Sequence, residues 1–196
     1  MKKLAVKHLK QSNSFTCRAT ALAMVYKYLK HGTQTENKIW RRLKEPLPND
    51  RKNFYIKTYN LAVDAEKQKL SYFYGQVFMD DSKLALSTIK EFISASIPVV
   101  VCQKISKENI IGHFRVVIGL DNQDILVNDP MNDKGSTKIS RKNFMELWQD
   151  AGNGEVIGGE FFAVFNPKAF KNNFKVTVAS FDSNSKHFTV SKLAFK

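Results

Sequence analysis

An α+β fold is predicted by three features of the sequence. Apolar residues recur at helical spacing from Cys17 to Leu29, a second amphipathic stretch runs from Ser82 to Ala95, and β-prone apolar runs broken by turn signals extend from Pro98 to Val127. The chain carries no internal repeat and no low-complexity segment.

Ala21, Leu22, Val25, Tyr26 and Leu29 define a first helix over about Cys17 to Lys30, with His31-Gly32 as its C-terminal stop. Ser12, Asn13, Ser14 and Thr16 precede it, residues whose side chains accept bonds from free helix amides, which places Cys17 at the helix N-terminus. A short second helix is predicted over Glu36 to Leu43, ended by Pro46 and Pro48, and a third over about Phe54 to Lys67. Ser71 to Phe78 reads as a strand, Ser82 to Ala95 as a helix through Leu86, Ile89, Phe92 and Ile93, and Pro98 to Gln103 as a buried strand.

His113 to Leu120 and Ile125 to Val127 are strands joined by Asp121-Asn122-Gln123-Asp124, a hairpin signal. After Asp129-Pro130 come a polar turn region to Thr137, a helix over about Ser140 to Gln149, the loop Gly152 to Gly159 and a strand from Glu160 to Phe165. Asn166-Pro167 marks the end of one domain, residues 1–167. Residues 168–196 form an extension in which Val176-Thr177-Val178 and Phe188-Thr189-Val190 flank Asp182-Ser183-Asn184-Ser185, a last hairpin packed on the same domain.

The 196 residues, 43% of them hydrophobic, suffice for one sizeable core. Lys and Arg number 31 against 18 Asp and Glu, a formal charge of +13 that favours acidic partners without choosing among nucleic acid, an anionic membrane face and an acidic protein. The basic residues are scattered and no nucleic-acid motif accompanies them, so nucleic acid is not the expected partner.

Two cysteines are too few for a disulfide framework and lack the paired spacing of a zinc site. No cofactor or metal is expected, and a reducing compartment fits. Cys102, inside Ile97-Pro98-Val99-Val100-Val101-Cys102, reads as a small buried hydrophobe. Lys7 breaks the N-terminal apolar stretch too early for a secretory signal, and no stretch approaches a membrane span. A soluble protein is expected, cytoplasmic or delivered without a Sec signal peptide.

Cys17 carries the chemistry in this reading. A thiol attacks carbonyls as its thiolate, and a helix N-terminus stabilises that negative charge. An activated cysteine also needs a base and an oxyanion donor. His113 follows Gly112 at the start of an apolar strand, where the sheet end holds its imidazole. Asp129 lies just past the next strand, which an antiparallel hairpin returns towards His113, so its carboxylate can orient the ring. Gln11, six residues ahead of Cys17 in a polar segment, can turn its amide back beside the thiol.

Gln11 with Cys17, then His113-Phe114-Arg115-Val116-Val117-Ile118-Gly119, then Val127-Asn128-Asp129-Pro130, resembles the bacteriocin-processing, double-glycine peptidase-like family. The likeness continues into Ser140-Arg141-Lys142-Asn143-Phe144 and Trp148 and covers about Gln11 to Phe165. It implies a papain-like cysteine peptidase fold, with an N-terminal helical part carrying Cys17 packed on an antiparallel sheet carrying His113 and Asp129. It also implies acyl-enzyme chemistry: Cys17 as nucleophile, His113 as base and then leaving-group acid, Asp129 as orienter and Gln11 as oxyanion donor.

The family usually has Gly after its cysteine, where this chain has Arg18, and often an acidic residue before it, where this chain has Thr16. Arg18 reads most simply as a solvent-facing first-turn residue; otherwise it narrows the cleft, binds an acidic substrate or favours the thiolate. Family members that process bacteriocins usually precede a membrane transporter, whereas a stand-alone peptidase is expected here. The expected partner is a peptide or protein substrate cut after small residues such as Gly-Gly, with an acidic one favoured by the charge. Deamidation and acyl transfer reuse the same thioester and stay open, as do a catalytically silent binding module on this scaffold and a nucleic-acid-binding protein.

Overall fold

The computed structural model describes residues 2–47 and 50–167 with their side chains, and 174–182 and 187–195 as backbone strands. The α+β expectation holds. In chain order the elements are β1 (Lys2–Lys3), α1 (Cys17–Tyr28), α2 (Glu36–Leu43), β2 (Glu45–Leu47), β3 (Asp50–Tyr55), α3 (Thr58–Lys67), β4 (Ser71–Val77) and α4 (Ser82–Ser94). There follow β5 (Val99–Lys104), β6 (Gly112–Leu120), β7 (Asp124–Asn128), β8 (Ser136–Ser140), α5 (Arg141–Trp148), β9 (Glu160–Phe165), β10 (Phe174–Asp182) and β11 (His187–Phe195).

Among the described residues one nine-stranded sheet runs in the order β10-β11-β4-β9-β5-β6-β7-β8, with β1 added to β6 at Gly119 and Leu120. Its pairings are antiparallel except β11 with β4, which is parallel. β6 lies inside the sheet and all nine of its residues are buried, which fixes the register that sets His113 opposite Gln103 of β5 and Val116 opposite Asn128 of β7. The turn segment Ser183 to Ser185 lies outside the described residues.

α1 packs against β6, α2 and α3, while α5 lies against β5, β7 and β8. Enclosure on several sides explains why α1 buries Ala19, Thr20, Ala23 and Met24 as well as its predicted apolar stripe. A buried polar cluster ties the helices together. Arg42 of α2 grips the Asp64 carboxylate of α3 from Nε at 2.8 Å and Nη2 at 2.5 Å, and the Tyr26 hydroxyl of α1 donates to Asp64 Oδ2 at 2.7 Å. The bidentate geometry and the extra hydroxyl satisfy a carboxylate that would otherwise be costly to bury.

Three local expectations change. Residues 54 and 55, predicted helical, belong to β3, which pairs with β2 through Glu45–Tyr55 and Pro46–Phe54. This hairpin is half-buried to exposed, and its Arg51-Lys52-Asn53 stretch carries no apolar alternation to announce it. α1 stops at Tyr28, and Lys30 (φ 66°), not Gly32, takes the left-handed turn; His31 N–H donates back to Tyr26 O at 2.7 Å. Ser136–Ser140, read as part of a polar turn region up to Thr137, forms β8 along β7.

Candidate active site

Cys17 is the first residue of α1, and Thr16 is its N-cap. The Thr16 hydroxyl turns back to Asn13 O at 3.1 Å, so no side chain caps the helix, contrary to the expectation from Ser12, Asn13, Ser14 and Thr16; the first turn also has no acidic residue. Cys17 thus stands in the first turn of a helix whose N-terminal amides carry no side-chain cap. The His113 imidazole and the Phe114 N–H both act on the Cys17 thiol and favour its charged form.

His113 is the second residue of β6 and is buried. Its Nε2 lies 2.7 Å from Asp129 Oδ1. Asp129 follows β7, and the β6–β7 pairing carries it back beside His113 as the hairpin argument requires. The same Oδ1 accepts from Met131 N at 2.8 Å, while Oδ2 accepts from Arg115 Nε at 2.7 Å. His8 Nε2 donates to the Asp129 carbonyl at 2.8 Å and fixes the turn from the N-terminal side.

These contacts set the charges. Burial pushes the Cys17 thiol up, but the His113 imidazole, the Arg18 charge and the Phe114 N–H together bring it below its ordinary value. Burial alone would lower His113, yet its bonds to Asp129 and Cys17 raise it. Asp129 is held well below the ordinary carboxylate range: burial opposes its ionisation, but His113, Arg115 and the Met131 N–H outweigh it. An ionised carboxylate only accepts, so Nε2 of His113 carries a proton and Nδ1 is the nitrogen left for the thiol.

Of the remaining predicted residues, Gln11 is anchored beside the Asp129-Pro130 turn by its N–H to Pro130 O at 2.9 Å. Its Nε2 donates to Asn13 O at 2.8 Å, and its Oε1 is buried without a partner among the described residues. Arg18 is half-buried, not solvent-facing; its guanidinium carbon lies 4.9 Å over the Phe114 ring, and its Nε is buried without a partner among the described residues. Cys102 is buried as expected, and burial pushes its thiol well up.

The sequence profile of the Peptidase_C39 like family matches residues 3–156, most of the chain and all of the site just described. The chain belongs to the Peptidase_C39 like family. No curated protein sequence matches it. Three solved structures share the C39 fold at low identity. A protein described as C39-like, from Bacillus anthracis, is 17% identical, with a TM-score of 0.63 over 84% of this chain and 97% of that one. A double glycine motif protease from an AMS/PCAT transporter, solved in complex with the leader peptide, is 18% identical, with a TM-score of 0.55 over 84% and 95%. The peptidase domain of Streptococcus ComA, a bi-functional ABC transporter involved in a quorum-sensing pathway, is 20% identical, with a TM-score of 0.51 over 82% and 96%.

Around His113 and Asp129 the structure also gathers Arg115, Gln103 and His8. Arg115 had a signal: it is an arginine two residues from His113 on an otherwise apolar strand, hence on the same face of the sheet. Among the described residues no helix is long and apolar enough to cross a membrane.

Proposed function

We propose that this chain is a cysteine peptidase in which Cys17 is the nucleophile, His113 the general base and then acid, Asp129 the orienter and Gln11 an oxyanion donor. The observation that carries the reading is the 2.7 Å bond between His113 and Asp129, with His113 acting electrostatically on Cys17 at the first position of α1, three residues drawn from distant segments. Family membership supports the same chemistry.

In this mechanism the thiolate attacks the scissile carbonyl carbon, forming a C–S bond and an oxyanion. The uncapped amides at the start of α1 face that charge, and the second Gln11 amide hydrogen, beyond the one given to Asn13 O, supplies a further donor. Collapse breaks the C–N bond as the His113 imidazolium passes its proton to the leaving amine. Water, deprotonated by His113, then attacks the thioester, releasing the acid and regenerating the thiol. Asp129 holds the ring throughout. Arg18, packed on Phe114, adds positive charge that favours the thiolate.

The substrate in this reading is a peptide cut after small residues such as Gly-Gly. The neighbour solved with a leader peptide supports a peptide substrate. Residues 1–167 form the catalytic domain in this reading, and the extension that follows packs on it through strand β11, which the β11–β4 pairing supports. The test is incubation of the purified chain with peptides that contain Gly-Gly or other small-residue pairs, read by mass spectrometry. Cleavage by the native protein and none by Cys17→Ala supports the reading. A mass gain of one unit at Gln, or an amine adduct, reassigns it to deamidation or acyl transfer.

A further inference from the structure

Arg115 is a charged residue on a strand whose residues are all buried, and it is itself only 5% exposed. A buried guanidinium is tolerated when its donors are paired, and the structure pairs each of its nitrogens. Nη1 donates to Lys104 O at 3.0 Å and to Gln103 Oε1 at 3.3 Å, Nη2 donates to Ile105 O at 2.9 Å, and Nε donates to Asp129 Oδ2 at 2.7 Å. Gln103 is fixed in turn by its Nε2 donating to Phe144 O of α5 at 2.9 Å. Three acceptors on and just after β5 thus lock the fork, and the remaining donor is aimed at the carboxylate.

The two oxygens of Asp129 are divided by this arrangement, Oδ1 for His113 and the Met131 N–H, and Oδ2 for Arg115. Rotation about the Cβ–Cγ bond of an aspartate is intrinsically soft, with a broad two-fold preference. A carboxylate bound on one oxygen can therefore swing, whereas one bound on both from fixed elements cannot. Arg115 makes no hydrogen bond to Cys17 or His113 among the described residues, so its influence on the thiol runs through Asp129.

We propose that Arg115 is a positioning residue of the site, fixing the Asp129 carboxylate so that it holds His113 in the orientation that serves Cys17. This rests on the Cys17–His113–Asp129 reading. It predicts that fork geometry matters as well as charge, because a lysine ammonium cannot reach the carboxylate and the β5 acceptors together in the same planar array.

The experiment is the pH profile of iodoacetamide alkylation at Cys17, located by mass spectrometry, for the native protein, Arg115→Lys, Arg115→Gln, Asp129→Ala and the Arg115→Gln/Asp129→Ala double variant. Each is measured below its own melting transition. Both Arg115 variants should react roughly ten- to hundredfold more slowly at pH 6 than the native protein, the scale set by a misplaced orienting group, with the rise in rate displaced to higher pH. Adding Arg115→Gln to Asp129→Ala should change the rate by less than about twofold, since a residue acting only through Asp129 has nothing left to act on. Arg115 variants that melt earlier but keep the native profile would overturn the proposal and leave Arg115 a structural residue. Equal slowing by Arg115→Gln with and without Asp129 would also overturn it. A native protein whose Cys17 already titrates as a free thiol would overturn the active-site reading itself, and the Arg115 role with it. If Arg115→Gln does not fold, Arg115→Lys, which keeps the charge, decides alone.

Discussion

His113 Nε2 donates to Asp129 Oδ1 at 2.7 Å, and this bond leaves Nδ1 as the ring nitrogen free to take a proton from the Cys17 thiol. Asp129 is in turn held by Arg115 and by the Met131 N–H, so the tautomer of His113 is set by groups that do not touch the thiol.

Asp129→Ala should therefore damage both fold and reactivity. It leaves the Arg115 guanidinium buried without its carboxylate, a loss on the order of 3 kcal/mol for a broken buried pair, and it frees the imidazole to rotate. Urea denaturation at pH 7 and the alkylation rate of Cys17 report the two effects separately.

The pH dependence of stability follows from the sign of the Asp129 shift. Its folded pKa is depressed, so it contributes stability above the unfolded carboxylate value, and that contribution disappears as pH falls through the folded value. The stability gap between native protein and Asp129→Asn should be widest near pH 7 and shrink below about pH 4, where the unfolded carboxylate begins to protonate. A gap that stays constant from pH 7 to pH 3 would contradict the assigned shift.

The two cysteines should differ sharply. Cys102 is buried in β5, its thiol is pushed well up and it donates to Glu155 O at 3.4 Å, whereas Cys17 is brought down by His113, Arg18 and the Phe114 N–H. Peptide mapping after brief alkylation at pH 7 should find the label on Cys17 and little on Cys102 until the protein is unfolded.

Gly159, immediately before β9, has φ +78°, and a Cβ there would lie 2.2 Å from the Val77 carbonyl oxygen. Backbone must move to admit any side chain. Gly159→Ala should destabilise the protein by on the order of 2 kcal/mol, read as a lowered thermal midpoint.

The sequence made the core strands and the main contacts of the site legible for a physical reason. β5, β6 and β9 carry apolar runs, Val99–Cys102, Val116–Leu120 and Phe161–Phe165, that only burial explains, and the hairpin between β6 and β7 brings Asp129 back to His113 whatever else the chain does. The β2–β3 hairpin was illegible because its exposed Arg51-Lys52-Asn53 stretch has no apolar period. Arg18 was misread as solvent-facing because its stacking partner, Phe114, is almost a hundred residues away, a contact that no local pattern encodes. The bare N-terminus of α1 was likewise hidden, since Thr16 reads as a cap and its hydroxyl goes elsewhere.

In the proposed mechanism Cys17 and His113 form a thiolate–imidazolium pair, and alkylation of Cys17 by iodoacetamide as a function of pH reports on that pair. Cys17 should react below pH 7, under the ordinary thiol pKa of about 8.5, and His113→Ala should remove that acidic reactivity and return the profile to one resembling a free thiol. A native profile that rises only near the ordinary thiol value, unchanged by His113→Ala, would mean that the two residues form no such pair.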